Sequence, residues 1–179
     1  MNMKKLVEKV LCKISGNYRE KLIRKQLHNI GSNCLISTFS LDQPRLISLG
    51  NNVTLAAGAV LLNHDYSVQV LRNLHPDTKL DKVGPIIIGN NVFVGAGTIV
   101  LPNCVIEDNT IIAAGSVLTG KRYQSGFVWG GIPAKPIMSI EDYYCRVKDE
   151  SEKLPWIEYL GKKSVDELNA VREQYYFKK

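Results

Sequence analysis

The chain has 179 residues, 45% of them hydrophobic and 22% charged, which is ordinary for one globular domain with a sizeable core and a small appendage. The formal net charge of +6 would suit an anionic partner, but no Lys/Arg block with interleaved aromatic residues is present, so nucleic acid is disfavoured. Four scattered cysteines form no Cys-x-x-Cys pair, which argues against a zinc site or a disulfide framework and favours a reducing, cytoplasmic location.

Residues 1–29 predict an N-terminal helical cap. Apolar residues recur at helical spacing over 6–14 and again over 18–27, on either side of a Ser-Gly-Asn break. Charged residues interrupt any apolar run, so neither a signal peptide nor a membrane-spanning segment is predicted. The alternatives are a helix that covers the end of the next domain and a basic helix on a membrane surface; the first is favoured because the end of a repeat stack needs cover.

A six-residue period dominates residues 30–137. It fits neither an amphipathic helix nor an alternating strand, but it fits a chain that takes a short strand, turns a corner and repeats. An all-β sandwich is the simpler alternative, and the constant spacing makes it the weaker one. The aliphatic residues that mark the period are Leu49, Leu55, Leu61, Ile88, Val94, Val100, Ile106, Ile112 and Leu118.

The residues around each aliphatic position also form columns. Three residues after seven of the nine aliphatic positions stands Asn or Gly, the two types that best tolerate a left-handed backbone at a corner. Four residues later the side chains are small, as a crowded inner corner requires. The residue before is apolar at Phe93, Ile99, Val105, Ile111 and Val117, which predicts outward faces covered by a partner subunit or by the terminal segments. The Asn/Gly column comprises Asn52, Gly58, Asn91, Gly97, Asn103, Asn109 and Gly115.

One histidine interrupts this pattern. His64 stands where the column has Asn or Gly, and it could simply be a tolerated turn residue. However, 27 residues separate Leu61 from Ile88, where one repeat takes six, so a long loop over about 67–85 leaves the coil beside His64. We call this loop the excursion; a long loop beside a corner imidazole is typical of an active-site wall. His28 and His75 are interpreted as structural.

Residues 138–179 predict a C-terminal helical extension. The segments "SIED" at 139 and "SVDE" at 164 each have the pattern of a capping box that opens a helix.

The stretches "IGNNVFVGAGTIVLPNCVIEDNTIIAAGSV" and "GGIPAKPI" resemble the hexapeptide-repeat acyltransferases. The resemblance covers roughly residues 30–137. It implies an all-β solenoid, a left-handed parallel β-helix with three hexads per coil, here with flanking N- and C-terminal α-helices. The handedness comes from the family, because general chirality rules favour right-handed connections.

The resemblance also implies chemistry. "NHD" at 63–65 is similar to the family's Asn-His motif, which makes His64 the general base for direct acetyl transfer to a hydroxyl. Asp65 or a backbone carbonyl would orient the imidazole, and a coil amide near Ala96 would face the oxyanion. Asn63, Asp65, Tyr66 and Phe93 are the expected acceptor contacts. Many sugar O-acetyltransferases have Trp where this chain has Phe93, and the loss of the indole N–H donor leaves the acceptor open.

Acetyl-CoA is the implied co-substrate, lying in a groove between subunits of a homotrimer. By position, Ala96 and Ala114 would line the pantetheine and Thr119 would lie further along. The expected phosphate contacts are Lys121, Arg122 and Lys135. For each cation, a solvated surface charge is an equally good interpretation.

The function expected is O-acetylation of a sugar hydroxyl in surface polysaccharide or lipopolysaccharide synthesis, with a carbohydrate acceptor and no membrane association. Alternatives are a xenobiotic or small-sugar acetyltransferase, an amino-sugar N-acetyltransferase, and a non-catalytic scaffold. A metal enzyme on the same fold would need three histidine ligands, and the spacing of His64 and His75 does not favour it, so no metal is expected.

Overall fold

Short parallel strands wind around a single core and form three sheets. The computed structural model describes residues 16–38 and 40–178. Apart from a hairpin at its C-terminal end, the coil passes through one strand of each sheet in turn, so the hydrogen-bonded neighbour of a strand lies one coil away and not next in sequence. Such an arrangement is a parallel β-helix, as predicted, and not a sandwich.

The strands and helices have the following bounds. The five-stranded sheet consists of β1 (Asn29–Ile30), β4 (Ile47–Leu49), β7 (Ile86–Ile88), β10 (Val105–Ile106) and β13 (Arg122–Tyr123). The six-stranded sheet consists of β2 (Leu35–Ile36), β5 (Val53–Leu55), β8 (Val92–Val94), β11 (Thr110–Ile112), β14 (Phe127–Gly131) and β15 (Ala134–Ser139). The four-stranded sheet consists of β3 (Ser40–Leu41), β6 (Val60–Leu61), β9 (Ile99–Val100) and β12 (Val117–Leu118). The α-helices are α1 (Gly16–Gln26), α2 (Val68–Leu74), α3 (Ile140–Glu152) and α4 (Val165–Phe177), with 3-10 turns at Pro44–Leu46 and Ile157–Tyr159.

The aliphatic column forms the core. Each of its nine members is at most 2% exposed. The small residues one position after each Asn or Gly are buried as well, including the polar Thr98, Thr110 and Ser116. Their hydroxyls donate to main-chain carbonyls, as when Ser116 Oγ donates to Ala113 O at 2.6 Å, so the crowded inner corner carries no unsatisfied hydroxyl.

The corners have the predicted left-handed backbone. All seven members of the Asn/Gly column have positive φ, for example 56° at Asn52 and 67° at Gly97. Side-chain amides also stack along one edge, where Asn91 Nδ2 donates to Asn109 Oδ1 at 2.8 Å. The sequence column therefore has a backbone cause, because most L-residues are strained in this region.

The outward column is only partly covered. In the strand registers, Phe93 pairs with Ile111 on the six-stranded sheet and Ile99 with Val117 on the four-stranded sheet. Phe93 is 43% exposed and the others are half-buried. These faces are the apolar outer surfaces that the sequence predicted.

Helix α1 packs at the N-terminal end of the coil. Ile23 contacts the core, Leu27 is buried, and the Arg24 guanidinium donates to the carbonyl of Cys34. The predicted helical stretch at 6–14 lies outside the described residues. At the opposite end, β14 and β15 form an antiparallel hairpin that carries the "GGIPAK" segment.

Residues 141–179 form a second compact unit. The predicted capping box at Ser164 is present, with Ser164 Oγ accepting from the Glu167 amide while the Glu167 carboxylate accepts from the Ser164 amide. The unit has a small core of its own around Trp156, whose ring meets those of Tyr175 and Tyr176 at 5.3 and 5.5 Å. No helix among residues 16–38 and 40–178 is long and apolar enough to cross a bilayer.

The glycine at position 97 provides a test of the corner constraint. A Cβ added to Gly97 meets nothing within 4 Å, so Gly97→Ala changes the backbone preference without a clash. We expect a loss of about 1–2 kcal/mol in the free energy of unfolding, measured by urea denaturation at fixed protein concentration. Gly97→Asn is the matched control and should lose less, because Asn tolerates positive φ. Equal stability of the Ala and Asn variants would contradict the constraint.

Candidate active site

The coil is interrupted immediately after β6. Asn63 is fully buried, and its side chain pairs reciprocally with the main chain of Gln43, accepting from Gln43 N at 2.8 Å and donating to Gln43 O at 2.7 Å. Its amide therefore holds the corner against the previous coil. Asn63 was expected to contact the acceptor, but its side chain has no surface to offer.

His64 breaks the backbone pattern of the corners. It is absent from the described residues with positive φ, and it forms an isolated antiparallel bridge with Val83 instead. The interpretation of His64 as a tolerated left-handed turn residue is therefore wrong. The chain reverses onto itself here because the returning end of the excursion pairs with the departing end.

Residues 63–65 and 82–84 form what we call the clasp. Asp65 N donates to Lys82 O at 2.8 Å, and Gly84 N donates to Asn63 O at 2.9 Å. Lys82 Nζ pairs with Asp65 Oδ2 at 2.5 Å. The hydrogen bonds from Lys82 and from the Ser67 amide hold the pKa of Asp65 well below its ordinary value, so the ion pair persists at neutral pH and is lost only as pH falls through that lowered pKa.

The His64 side chain is enclosed but not sealed, with 15% of its surface exposed. Its Nε2 lies 3.4 Å from Asp81 Oδ1, and its ring meets the Tyr66 ring edge-on at 4.2 Å between centroids. Asp65 was an expected partner of the imidazole, but its carboxylate is bonded to Lys82 and to the Ser67 amide. Asp81, which carried no sequence signal, is the acid that faces His64.

The other expected acceptor contacts are dispersed. Tyr66 is 73% exposed beside His64, in a position to meet a ligand. Phe93 lies on the outer face of the six-stranded sheet between Thr54 and Ile111. His64 instead follows the four-stranded sheet, so these two residues belong to different faces of the coil.

A strip of small residues marks the corner between the six- and four-stranded sheets. Ala57, Ala96 and Ala114 are all exposed there, each followed by a glycine with positive φ. The corner is tightly stacked, since a Cβ on Gly95 would lie 2.5 Å from Ala114 N. Within the described part of the chain, the N–H groups of Ala96 and Ala114 donate no hydrogen bond. Two unpaired backbone donors are thus exposed along a surface without bulky side chains.

The three expected phosphate contacts do not form one cluster. Lys121 Nζ lies 3.4 Å from Ala134 O and above the rings of Tyr123 and Trp129, next to the exposed Lys135. Arg122 instead pairs with Glu107 at 2.9 Å on the five-stranded sheet. The hydrogen bond from the Ser125 amide, which is the larger cause, and that from Arg122 hold the pKa of Glu107 below its ordinary value. Thr119 is exposed and lies two residues before Lys121.

An open depression of about 500 Å³ lies elsewhere, on the five-stranded sheet. Its lining includes Ile87, Val105 and Glu107 and none of the predicted site residues. In the described ranges no three His, Cys, Asp or Glu side chains are grouped so as to hold a metal ion.

Comparison with known proteins places the chain in a family. Residues 85–120 match the model described as bacterial transferase hexapeptide (six repeats), and residues 47–63 match the hexapeptide repeat of succinyl-transferase. Protein CapG of Staphylococcus aureus is 36% identical over 97% of this chain and 99% of its own length. The chain belongs to the hexapeptide-repeat acyltransferase family.

One further sequence relative and one solved structure are similar to this chain. The galactoside O-acetyltransferase of Escherichia coli K12 is 28% identical, over 69% of this chain and 70% of that protein. The crystal structure of a maltose O-acetyltransferase from Clostridium difficile 630 covers 78% of this chain and 89% of that one, with 23% identity and a TM-score of 0.55. The predicted left-handed parallel β-helix is confirmed as the fold of this family member.

The family models also frame the excursion. One matched segment ends at Asn63 and the other begins at Pro85, so the unmatched interval contains His64, α2 and every clasp residue except Asn63. Ala96, Ala114 and Thr119 all lie inside the second segment. This hexapeptide-repeat acyltransferase therefore places its small-residue strip in the shared repeat and its histidine at the edge of its own loop.

The ion pair in the clasp should hold the base of the excursion closed. Lys82→Met keeps the aliphatic stem and removes the charge, so we expect several-fold faster amide hydrogen exchange at Asp65 and Gly84 at neutral pH. Lys79→Met, an exposed lysine in the same excursion, is the matched control and should leave both amides unchanged. Unaltered exchange in the Lys82 variant would show that main-chain bonds alone close the loop.

Proposed function

We propose that this chain is an acetyl-CoA-dependent O-acetyltransferase that acts on a sugar hydroxyl, in the assembly of a surface polysaccharide or lipopolysaccharide. Membership of the hexapeptide-repeat acyltransferases and the likeness to a galactoside O-acetyltransferase support the class of reaction. The observation that carries the proposal is the position of His64, an imidazole held at the single long interruption of the coil within the described residues.

His64 acts as the general base in this proposal. As the acceptor oxygen attacks the thioester carbonyl, its proton moves to the imidazole. The tetrahedral intermediate collapses with cleavage of the C–S bond, and the imidazolium returns the proton to the departing CoA thiolate. Atoms and charge balance without a further reactant.

The cysteines support direct transfer without an acyl-enzyme. Cys34 and Cys104 are buried among core residues, and burial raises the pKa of Cys104 to about 11. The exposed Cys145 lies in the second unit. A thiol kept protonated inside the coil is a poor nucleophile, so the acceptor oxygen itself attacks. Three free cysteines in the described residues also accord with a cytoplasmic location.

The small-residue strip is the proposed track for acetyl-CoA. Its side chains are short enough for the pantetheine arm to approach the backbone, and the unpaired N–H groups of Ala96 and Ala114 supply donors for an amide or for the oxyanion. Lys121, which follows β12, and Lys135, which pairs with Gly130 of β14, are both exposed and supply positive charge for the phosphates. Arg122 is less suited to that role, because Glu107 already pairs with it.

A homotrimer follows from the separation of these two parts. His64 and the strip lie on opposite sides of the four-stranded sheet, at two different corners of one coil. Around a threefold axis, each chain would present its strip to the His64 corner of the next, which completes three sites from incomplete halves. The partly exposed outer column supplies apolar surface for such contacts.

The assembly can be measured directly. We expect sedimentation equilibrium to give three times the chain mass of 20.0 kDa. Mixing inactive His64→Ala chains with chains that carry a bulky Ala96→Trp strip should restore some activity, because one mixed interface has both intact halves. A stable, active monomer would exclude the shared site.

The catalytic role has its own test. We expect His64→Ala to lower kcat by about 10²–10⁴-fold while the Kd for CoA changes little, because the base acts on the acceptor proton. The assay is thiol release from acetyl-CoA across mono- and oligosaccharides, with amino sugars and aromatic alcohols included to distinguish O- from N-acetylation and sugar from xenobiotic acceptors. His75→Ala is the matched control from the exposed end of α2 and should keep full activity. Undiminished turnover by the His64 variant would remove it from the mechanism.

A further inference from the structure

The acid that faces His64 comes from the far end of the excursion. Asp81 Oδ1 lies 3.4 Å from His64 Nε2, and the same oxygen accepts from the Lys82 amide at 2.9 Å. Because the Lys82 carbonyl in turn accepts from Asp65 N, the clasp fixes the backbone immediately after this carboxylate. The exposed Asp81 is therefore held toward the imidazole by main-chain geometry and not by burial.

The charges around His64 single out Asp81. Three ionisable side chains other than Asp81 lie close by: Asp65, Lys82 and Tyr66. Asp65 and Lys82 pair with each other at 2.5 Å and largely cancel. Tyr66 meets the imidazole edge-on with its ring, at 4.2 Å between centroids. The Asp81 carboxylate is thus the uncompensated charge that the imidazole faces.

We propose that Asp81 is the positioning residue of His64, an imidazole–carboxylate pair in which the excursion supplies the acid. The proposal rests on the proposed function for its catalytic meaning. One ring nitrogen faces Asp81, which orients the ring and leaves the second nitrogen for the acceptor proton. When that proton arrives, the carboxylate stabilises the imidazolium, as nearby opposite charge does for any cationic acid. The contacts that close the base of the excursion then also bring Asp81 to His64.

The pair has a direct readout that needs no substrate. We expect Asp81→Asn to move the midpoint of the His64 ring titration, followed by NMR, to lower pH, because the imidazolium loses its neighbouring negative charge. The chain has three histidines, and His64→Ala identifies the relevant signal. Asp77→Asn, an exposed acid of the same excursion, is the matched control and should leave the titration unchanged.

The pH dependence of the reaction should shift in the same direction as the NMR titration. With acetyl-CoA and the best acceptor, we expect Asp81→Asn to lower kcat by about tenfold and to move the acidic limb of the pH profile to lower pH, while the KM for acetyl-CoA is kept. Asp81→Glu should restore the titration and part of kcat. A residue that merely stabilised the loop would not shift the acidic limb.

The outcomes are separable. An unchanged His64 titration in Asp81→Asn, or a kcat equal to or above that of the wild type, overturns the pair. The titration is measured on the free protein, so it tests the pair whether or not the acceptor panel finds a substrate. Absence of acetyl transfer by the wild-type chain on every acceptor would instead overturn the proposed function.

Discussion

The structure depends on one backbone constraint, the left-handed residue that turns the chain after each short strand. A hexad of two or three strand residues can return to the same core column only if its corner is tight, and a tight corner needs positive φ. Asn and Gly meet this need at little cost, whereas other L-residues lose about 1–2 kcal/mol. The small buried residue next to each corner follows from the same crowding. Backbone preference and side-chain volume therefore act together to close each coil.

The same constraint explains why the coil opens where it does. At the corner after β6, the position that elsewhere holds Asn or Gly holds His64, whose backbone has left the left-handed region. Asn63 compensates from inside by satisfying the main chain of the previous coil, so the core is unbroken while the chain departs. The clasp then shortens the free part of the loop to the segment that contains α2. A shorter loop costs less closure entropy, and its ends are fixed on a rigid support.

The sequence predicted the structure correctly wherever the same local steric condition recurs in every coil. The aliphatic, small and Asn/Gly columns were predicted because every coil repeats one set of steric conditions, and burial and φ confirm them. The family resemblance supplied the handedness, which no column encodes. The clasp and the Asp81–His64 contact were missed because they join residues 17 to 21 apart in a segment without periodicity. The prediction that Asn63 contacts the acceptor was wrong for a related reason. The sequence shows an asparagine next to a histidine whether the amide is buried and structural or binds a substrate. Helix α2 was hidden because a seven-residue helix has too few turns for a periodic signal.

The stacked coils and the excursion therefore differ in how strongly the sequence fixes their structure. The same steric conditions recur in every stacked coil. Along the strip, the glycines that follow Ala96 and Ala114 donate to the preceding coil, Gly97 N to Ala57 O and Gly115 N to Ala96 O. The conformation of the excursion depends on a few polar contacts at its base. Substitutions at its tip would therefore leave the coil undisturbed. In the proposed reaction, the donor would lie along the stacked coils and the acceptor would lie against the excursion. An imidazole at the junction belongs to both, because its main chain closes the loop while its ring stays at the edge of the coil. In the proposed role of His64 as general base, its preorganisation requires no more than the pairing that already ties the loop to the solenoid.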